Sequence, residues 1–230
     1  MRSIICIYLL LLTISASAQV ADLSGATILA SRNIPSPVRE TAIRILKEEI
    51  AKRTSLQLKE TDKPGSQPTI ALVLASEKEL SGLTIPVNAD EVKPETNPEG
   101  YRLFLNQSNG KTILWLIAAD QRGVIFAVGQ LLRTAELTHH KITFAAKNEI
   151  ATSPKYPIRG HQIGYRNTAN SWDSWTMAQY ETYLRELALF GTNCIENIPF
   201  QDDRVNPLMK YPREVMNKRI SEICHEYGLD

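Results

Sequence analysis

Cysteine and histidine are scarce in this sequence. Three cysteines and four histidines occur among 230 residues, and Cys6 falls within an apolar N-terminal run. The other two, Cys194 and Cys224, are too few for a disulfide framework. They lie in strand-like and helical patterns that favour small buried side chains, with a single bridge as the alternative. His139 and His140 are adjacent, and neighbours on a strand point to opposite faces, so we expect no metal site and no cofactor.

An excess of charge of one sign is also missing. The chain has 26 basic and 25 acidic residues and a net charge of +1, which gives no electrostatic footprint for nucleic acid or an anionic membrane surface. Hydrophobic residues make up 43% and charged residues 22% of the chain. This is the balance of a protein with a buried core. A nucleic-acid partner is therefore not expected.

No apolar run is long enough to span a bilayer, which takes about 20 residues. The run at positions 4–14 is shorter, follows Arg2, and precedes the small residues 16–18 (ASA), a cleavage site of the A-x-A kind. Residues 1–18 are therefore predicted to be a signal peptide, and the protein to be secreted or periplasmic. A buried N-terminal helix is the alternative. We expect no membrane span after signal removal.

The sequence changes character near Pro154, which predicts two parts, residues 19–153 and residues 154–230. The first part alternates strand-like and helical patterns. Its strands are predicted at 69–74, 101–105 and 112–118, and its helices at about 36–53 and directly after Asp120. The Asn109-Gly110 dipeptide predicts an antiparallel hairpin between the last two strands. We expect a small α+β domain whose sheet contains antiparallel strands, with both helices on one face.

Local end signals define the first helix of each part. Ser36 followed by proline predicts a cap with proline at the first helical position. In the second part, Thr176 and Gln179 form a capping box, and Trp175 and Tyr180 stand at the positions of a hydrophobic staple. Trp175 is therefore interpreted as structural.

The second part reads as two strand-helix units. A polar strand near 156–165 precedes the capped helix, which stops at Gly191 and leads into a strand near 194–198. A third helical pattern starts near Arg213 and leads towards another strand at residue 230. An eight-fold barrel needs about 250 residues, and residues 154–230 supply roughly a third of that length. We expect the first β/α units of an incomplete TIM barrel, truncated at its C-terminus.

Several stretches carry a family resemblance. Residues 99–103 (EGYRL) and 120–132 (DQRGVIFAVGQLL) are similar to the second half of the N-terminal domain of secreted glycoside hydrolases of the β-N-acetylhexosaminidase and α-glucuronidase kind. The order of barrel features is similar to that of hexosaminidases: Arg159-Gly160, the helix after Thr176, Asn193 and Asp202-Asp203. The resemblance implies an N-terminal α/β domain joined to a TIM barrel, and hydrolysis of glycosidic bonds in an oligo- or polysaccharide.

The sequence also departs from the hexosaminidase pattern. Gly164 and Asn167 stand where that pattern has Asp and Arg, and Glu196-Asn197 replaces a His-x-His motif. The implied substrate is therefore open between N-acetylhexosaminyl, uronosyl and other O-glycosyl linkages.

Arg159 is the first candidate for binding substrate, because its counterpart in hexosaminidases holds sugar hydroxyls. A guanidinium fork suits that task, since it donates hydrogen bonds without titrating. A buried ion pair is the alternative. On a regular strand His161 and Tyr165 share its face, so we expect them to line the same pocket. A core histidine bonded to backbone is the alternative for His161.

Further candidates lie near predicted strand ends. Glu196 stands near the C-terminal end of its strand, where barrel enzymes place their chemistry. Asp202 and Asp203 fall in the following loop, with turn and helix-start roles as the alternative. Trp172 offers a flat ring to a sugar, or else covers the barrel rim.

Glycoside hydrolysis usually needs two carboxyl groups about 5 to 9.5 Å apart. Adjacent Asp202 and Asp203 cannot be assumed to lie on both sides of a bond, and the resembling families take their catalytic carboxylates from later strands. The chain alone is therefore expected to be inactive, as the substrate-binding start of a glycosidase. The alternative is a non-catalytic carbohydrate-binding or envelope protein on the same scaffold.

Overall fold

The computed structural model describes residues 19–86, 93–108, 110–163, 174–198 and 208–230. Four helices lie within these ranges: α1 Ser36–Thr54, α2 Gln121–Thr134, α3 Met177–Leu189 and α4 Arg213–Tyr227. The strands of residues 19–153 are β1 Val20–Asp22, β2 Thr27–Ala30, β3 Lys59–Glu60, β4 Thr69–Leu74, β5 Glu79–Leu80, β6 Leu83–Thr84, β7 Tyr101–Ser108, β8 Lys111–Ala118, β9 Glu136–Thr138, β10 Lys141–Ala145 and β11 Ile150–Thr152. Two more strands follow, β12 Gly160–Gln162 and β13 Cys194–Glu196.

A six-stranded sheet in the order β11-β7-β8-β4-β2-β3 organises the first part. The predicted hairpin is confirmed, since β7 and β8 pair antiparallel with Ser108 opposite Lys111. The predicted antiparallel content of the sheet is confirmed, but its parallel part was not predicted: β2 pairs in parallel with both β3 and β4, and β4 pairs in parallel with β8. The helix α1 connects β2 to β3, and such a crossover brings the next strand back in the same direction.

The two faces of this sheet have separate cores. Alternate residues of a strand point to opposite faces, so Leu72 and Leu116 pack towards α1 and α2, while Val73 and Trp115 pack beneath Leu80 and Ile85. Both helices therefore lie on one face, as predicted. A smaller antiparallel sheet in the order β1-β10-β9 and a separate antiparallel pair, β5 with β6, complete the sheets of residues 19–153.

Local end signals set most helix boundaries. Asp120 caps α2 by accepting a hydrogen bond from the Gly123 backbone N–H at 3.0 Å. The capping box of α3 forms as predicted, and the rings of Trp175 and Tyr180 meet edge to face at 5.5 Å. The predicted Ser36 cap is wrong by one residue, because Ser36 is already helical and its hydroxyl donates to Glu40 instead.

The second part consists of two adjacent β/α units. The strands β12 and β13 pair in parallel with α3 between them, and α4 follows. Gly228 ends α4 in the left-handed conformation. Asp230 then lies alongside β13, where its N–H donates to Asn193 O and its carbonyl accepts from Ile195 N, both at 2.9 Å. This is the β/α repeat of parallel sheets and barrels alike.

One apolar core continues from the first part into the second. It includes Leu46 of α1, Leu131 of α2, Leu184 of α3 and Ile220 of α4, all at most 2% exposed. Among the described residues, none of the helices has both the length and the apolar composition needed to cross a bilayer. Cys194 and Cys224 are free thiols, so the alternative of a bridge between them does not form.

Candidate functional site

The register of β12 and β13 sorts their side chains onto two faces. His161 lies opposite Ile195, and Gln162 lies opposite Glu196. Because partners across a sheet share a face and successive residues alternate, His161 and Glu196 are on opposite faces. The structure therefore does not bring these two predicted site residues together.

The His161 face is the one that packs on the helices. His161 Nε2 lies 2.9 Å from the Tyr183 hydroxyl of α3, and the two rings meet edge to face at 5.2 Å. Tyr183 in turn packs edge to face against Trp175 at 5.3 Å. This environment agrees with the alternative of a core histidine, and sugar contact by His161 stays a prediction.

The opposite face presents Gln162 and Glu196 at the C-terminal ends of the two strands. Glu196 is exposed, and Gln162 beside it is half-buried. Functional groups of β/α folds gather at this end of the strands. A carboxamide next to a carboxylate offers both donors and acceptors to neighbouring hydroxyls. Gln162 was missed by sequence reasoning, although the polar content of the strand around it was the available signal.

Asn197, the next residue, is committed to the scaffold. Its Nδ2 donates to Asn217 O at 3.1 Å and to Ser221 Oγ at 3.2 Å, both on α4. The Asn217 side chain forms two hydrogen bonds with the Ile198 backbone: its Oδ1 accepts from the N–H at 3.1 Å, and its Nδ2 donates to the carbonyl at 2.9 Å. The chain after β13 is thereby fixed to α4.

Arg159 lies at the other end of β12, directly before its first residue. Its Nε donates to Gly191 O at 2.7 Å, its Nη1 donates to Tyr156 O at 2.6 Å, and its Nη2 contacts Glu99 Oε2 at 2.5 Å. The structure does not bring Arg159 to the end of the strands where Glu196 lies. Its geometry agrees with the ion-pair alternative, and sugar binding by Arg159 stays a prediction.

The Glu99 carboxylate receives donors from three separate segments of the chain. Besides Arg159, Arg122 Nη1 of α2 donates to Oε1 at 3.1 Å, and Asn193 Nδ2 donates to the same oxygen at 2.9 Å. The Asn193 side chain also accepts from Arg159 N at 2.9 Å. We name these four residues the Glu99 cluster. It joins the first part of the chain to the starting points of β12 and β13.

Contacts within the Glu99 cluster stabilise the charged forms of Glu99 and Arg122. Burial acts to raise the pKa of Glu99, but hydrogen bonds from Asn193, Arg159 and Arg122 outweigh it and leave that pKa below its ordinary value. Burial acts to lower the pKa of Arg122, and the contacts with Glu99 and Asp230 reverse this and raise it. Glu99 and Arg122 are therefore both charged at neutral pH.

The two stretches that carry the resemblance touch each other at this point. Glu99 N donates to Asp120 Oδ2 at 2.7 Å, and Ala119 N donates to Gly100 O at 2.9 Å. A Cβ at Gly123 would lie 2.5 Å from Gly100 O, so only glycine allows this approach. Residues 99–103 and 120–132 thus act together as one support for the Glu99 cluster.

A cleft of about 520 Å³ lies beside the Glu99 cluster. It is lined by residues 97–99, 120–122 and 153–157. Tyr156 on its rim is 73% exposed. The charged side chains of Glu99 and Arg122 are already committed to each other, and the cleft is at the N-terminal ends of the strands, away from Glu196.

Four predicted site residues, Tyr165, Trp172, Asp202 and Asp203, lie outside the described residues and stay predictions. Within the described ranges, no cluster of three or more histidine, cysteine, aspartate or glutamate side chains could hold a metal ion. Burial raises the pKa of the Cys224 thiol to about 11, so it is protonated and inert at neutral pH.

No family model matches the sequence, and no curated protein matches it. Solved structures do match. A GH20 exo-β-N-acetylglucosaminidase from Vibrio harveyi, solved with N-acetylglucosamine, aligns over 94% of this chain and 33% of its own, with a TM-score of 0.58 and 12% identity. A GH84 protein aligns over 92% of this chain and 34% of its own, with a TM-score of 0.62 and 10% identity.

A third match is a GH138 enzyme that targets pectin rhamnogalacturonan II. It aligns over 89% of this chain and 30% of its own, with a TM-score of 0.54 and 12% identity. The chain has a glycoside hydrolase-like fold. It spans about a third of the length of these solved chains, and the resemblance seen in the sequence is supported at the level of the fold.

Proposed function

We propose that the chain is the N-terminal part of an exported glycoside hydrolase, comprising the α/β domain and the first β/α units of a TIM barrel. The observation that carries this proposal is the fold likeness to the GH20, GH84 and GH138 structures, which covers both parts of the chain in one alignment. The backbone pairing of Asp230 with β13 supports it, because it continues the parallel array beyond two strands.

The proposed substrate is an oligo- or polysaccharide with N-acetylhexosaminyl, uronosyl or other O-glycosyl linkages. Its hydroxyls would be held over the C-terminal ends of β12 and β13 by Gln162 and Glu196. Tyr165, Trp172, Asp202 and Asp203 are proposed to line the same end, since they follow these strands in sequence.

The proposed catalytic carboxylates come from later strands. Glu196 is the one acidic residue of β12 and β13, whereas glycoside hydrolysis usually takes two carboxyl groups about 5 to 9.5 Å apart. We therefore assign Glu196 a substrate-binding role. This chain by itself is expected to bind sugar weakly and to hydrolyse none.

The test compares this chain with the polypeptide continued past Asp230 by about 200 residues, enough to close a barrel. The longer polypeptide is expected to hydrolyse an aryl glycoside from a panel of N-acetylhexosaminides and uronides, and the shorter one is not. Turnover by the shorter chain would contradict the assignment of the carboxylates. Sugar binding without turnover by the longer polypeptide would favour the non-catalytic carbohydrate-binding alternative.

The role of Glu196 is tested in the longer polypeptide with Glu196→Gln. Loss of one charged hydrogen bond to a hydroxyl is expected to raise KM by roughly tenfold or more, with kcat changed much less. Loss of kcat at unchanged KM would assign Glu196 to the chemical step instead.

Export is tested by the N-terminal residue of the released protein, which is expected to be Gln19.

A further inference from the structure

The Glu99 cluster holds the chain directly before β12 and directly before β13. Arg159 directly precedes Gly160, the first residue of β12, and Asn193 directly precedes Cys194, the first residue of β13. Gly160 and Cys194 are also paired across the two strands. One carboxylate therefore holds both strands at the same level.

The cluster fixes backbone as well as side chains. Arg159 N donates to Asn193 Oδ1 at 2.9 Å, and Asn193 N donates to Arg159 O at 3.1 Å. Asn193 Nδ2 donates to Pro157 O at 2.7 Å, in addition to Glu99. The approach of the chain to β12 is thereby set at Pro157 and at Arg159, and the approach to β13 at Asn193.

Glu99 is itself held rigidly by the first part. Its backbone is in the left-handed region with φ of 59°, a conformation that an ordinary side chain adopts only where contacts hold it. The hydrogen bond from Glu99 N to Asp120 Oδ2 supplies such a contact, and Asp120 is fixed in turn as the cap of α2. The carboxylate is thus a fixed point that belongs to the α/β part.

The strands are short, so their starting points determine where they end. Each has three residues, and a strand rises about 3.3 Å per residue. Gln162 and Glu196 are therefore only about 10 Å from the Glu99 cluster. A shift at Arg159 or Asn193 passes along the backbone to the strand ends.

We propose that Glu99 is a positioning residue, whose carboxylate sets the starting points of β12 and β13 and so the direction in which they present Gln162 and Glu196. That Gln162 and Glu196 bind sugar rests on the proposed function. That Glu99 aligns the two strands rests on the contacts above.

The experiment measures amide hydrogen exchange in the full chain and in Glu99→Gln. This change keeps the size of the side chain but directs an NH₂ group at donors from Arg159 or Asn193. The probes are the Ile163 and Ile195 amides, which donate to Glu196 O and Asp230 O, and the reference amides are those of β4 and β8. Loss of charge-assisted hydrogen bonds is expected to speed exchange of the two probes by about tenfold or more relative to the reference amides.

Glu95→Gln is the matched control. Glu95 is another buried glutamate, 1% exposed, and its described contact is a 3.9 Å ion pair with Arg102 of β7. Since no described contact of Glu95 reaches β12 or β13, the control is expected to leave the exchange rates of the probes relative to the reference amides as in the wild type. Asn193→Ala, which removes one arm of the cluster and keeps Glu99, is expected to reproduce the selective effect in the probes.

Equal acceleration of probes and reference amides in Glu99→Gln would overturn the proposal, because it would show a general loss of stability. Unchanged probes would also overturn it. If Glu99→Gln does not fold, the Asn193→Ala variant decides. Faster exchange of the probes alone supports the proposal, and equal acceleration of probes and reference amides overturns it. A selective effect combined with an inactive longer polypeptide would refute the proposed function and leave the positioning role intact.

Discussion

At the scale of single residues, Arg159 shows how one side chain can fit two expectations from sequence. The resemblance implies that it binds sugar, whereas the described hydrogen bonds of its side chain go to Gly191 O, Tyr156 O and Glu99. Its side chain is 21% exposed. An arginine in this state contributes to stability through a partly buried ion pair, and removing it leaves Glu99 with fewer donors.

Arg159→Ala is therefore expected to lower the free energy of unfolding by about 2 to 4 kcal/mol. Urea denaturation at neutral pH measures the change. Arg32→Ala is the control, because Arg32 forms an ion pair with Asp62 in which the side chains are 82% and 85% exposed, and such pairs contribute at most about 1 kcal/mol. Equal small losses in the two variants would show that the Arg159 pair adds little, and would return Arg159 to the sugar-binding interpretation.

Residue-scale contacts of this kind could not be predicted from the sequence. Glu99 and Arg159 are 60 positions apart, and no periodicity links positions at that distance. Only the resemblance of residues 99–103 and Arg159 to parts of known enzymes indicated that both matter. The pairing of Gln162 with Glu196 was hidden for the same reason, since it depends on the register between two strands that α3 separates.

At the scale of elements, α2 packs closely against the end of α3 at Gly129. A Cβ at Gly129 would lie 2.1 Å from Leu189 O, the last residue of α3. Arg133, one turn later, donates to that same carbonyl and lies over the Phe190 ring at 4.7 Å. The two helices of different parts thus approach each other where α2 has no side chain.

Gly129→Ala is expected to destabilise the protein by about 1 to 3 kcal/mol, because the backbone at the end of α3 must move. In an unobstructed helix the same change stabilises by nearly 1 kcal/mol, so the sign of the effect is diagnostic. Gly65→Ala is the control, since its Cβ would have its nearest neighbour at 4.0 Å. Thermal unfolding of both variants checks the prediction, and a gain in stability for Gly129→Ala would contradict it.

Elements with local signals were predicted well. The start of α2 after Asp120, the capping box at Thr176 and the β7–β8 hairpin each depend on residues within a few positions of one another. The parallel pairings of β2 with β4 and of β4 with β8 were missed, because they depend on long crossovers that leave no local pattern. The one-residue error at Ser36 arose because a hydroxyl beside proline can bond to Glu40 as well as cap a helix.

At the scale of the whole molecule, ionic contacts connect α1 with the helices of the second part. Arg44 contacts Glu181 of α3 at 3.2 Å and Glu226 of α4 at 3.5 Å, and Arg219 of α4 also contacts Glu181 at 3.4 Å. Together with the continuous apolar core and the Glu99 cluster, these contacts indicate that the two parts unfold as one unit.

Acid is expected to weaken the junction through Glu99. Its lowered pKa means that its contribution to stability is present at neutral pH and is lost as pH falls below the ordinary carboxyl pKa of 4.5 and through the folded value. The charged and polar groups that face it are Arg122, Arg159 and Asn193, with Asp120 at its backbone. Glu99→Gln cannot titrate, so its free energy of unfolding should fall less than that of the wild type between about pH 6 and pH 3.

Urea denaturation at several pH values in this range measures how steeply the free energy of unfolding changes with pH in the wild type and in Glu99→Gln. Identical slopes for the two proteins would contradict a role for Glu99 in acid stability.

The order of the Glu99 cluster residues along the chain affects how the protein can fold during synthesis. Glu99 and Arg122 precede Arg159 and Asn193, so the anchor is made before the strands that attach to it. A nascent polypeptide can complete its α/β layer first, and each strand that leaves the ribosome later then meets a docking point that already exists. The strands β12 and β13 are thus expected to attach to the α/β layer in the order in which they are synthesised.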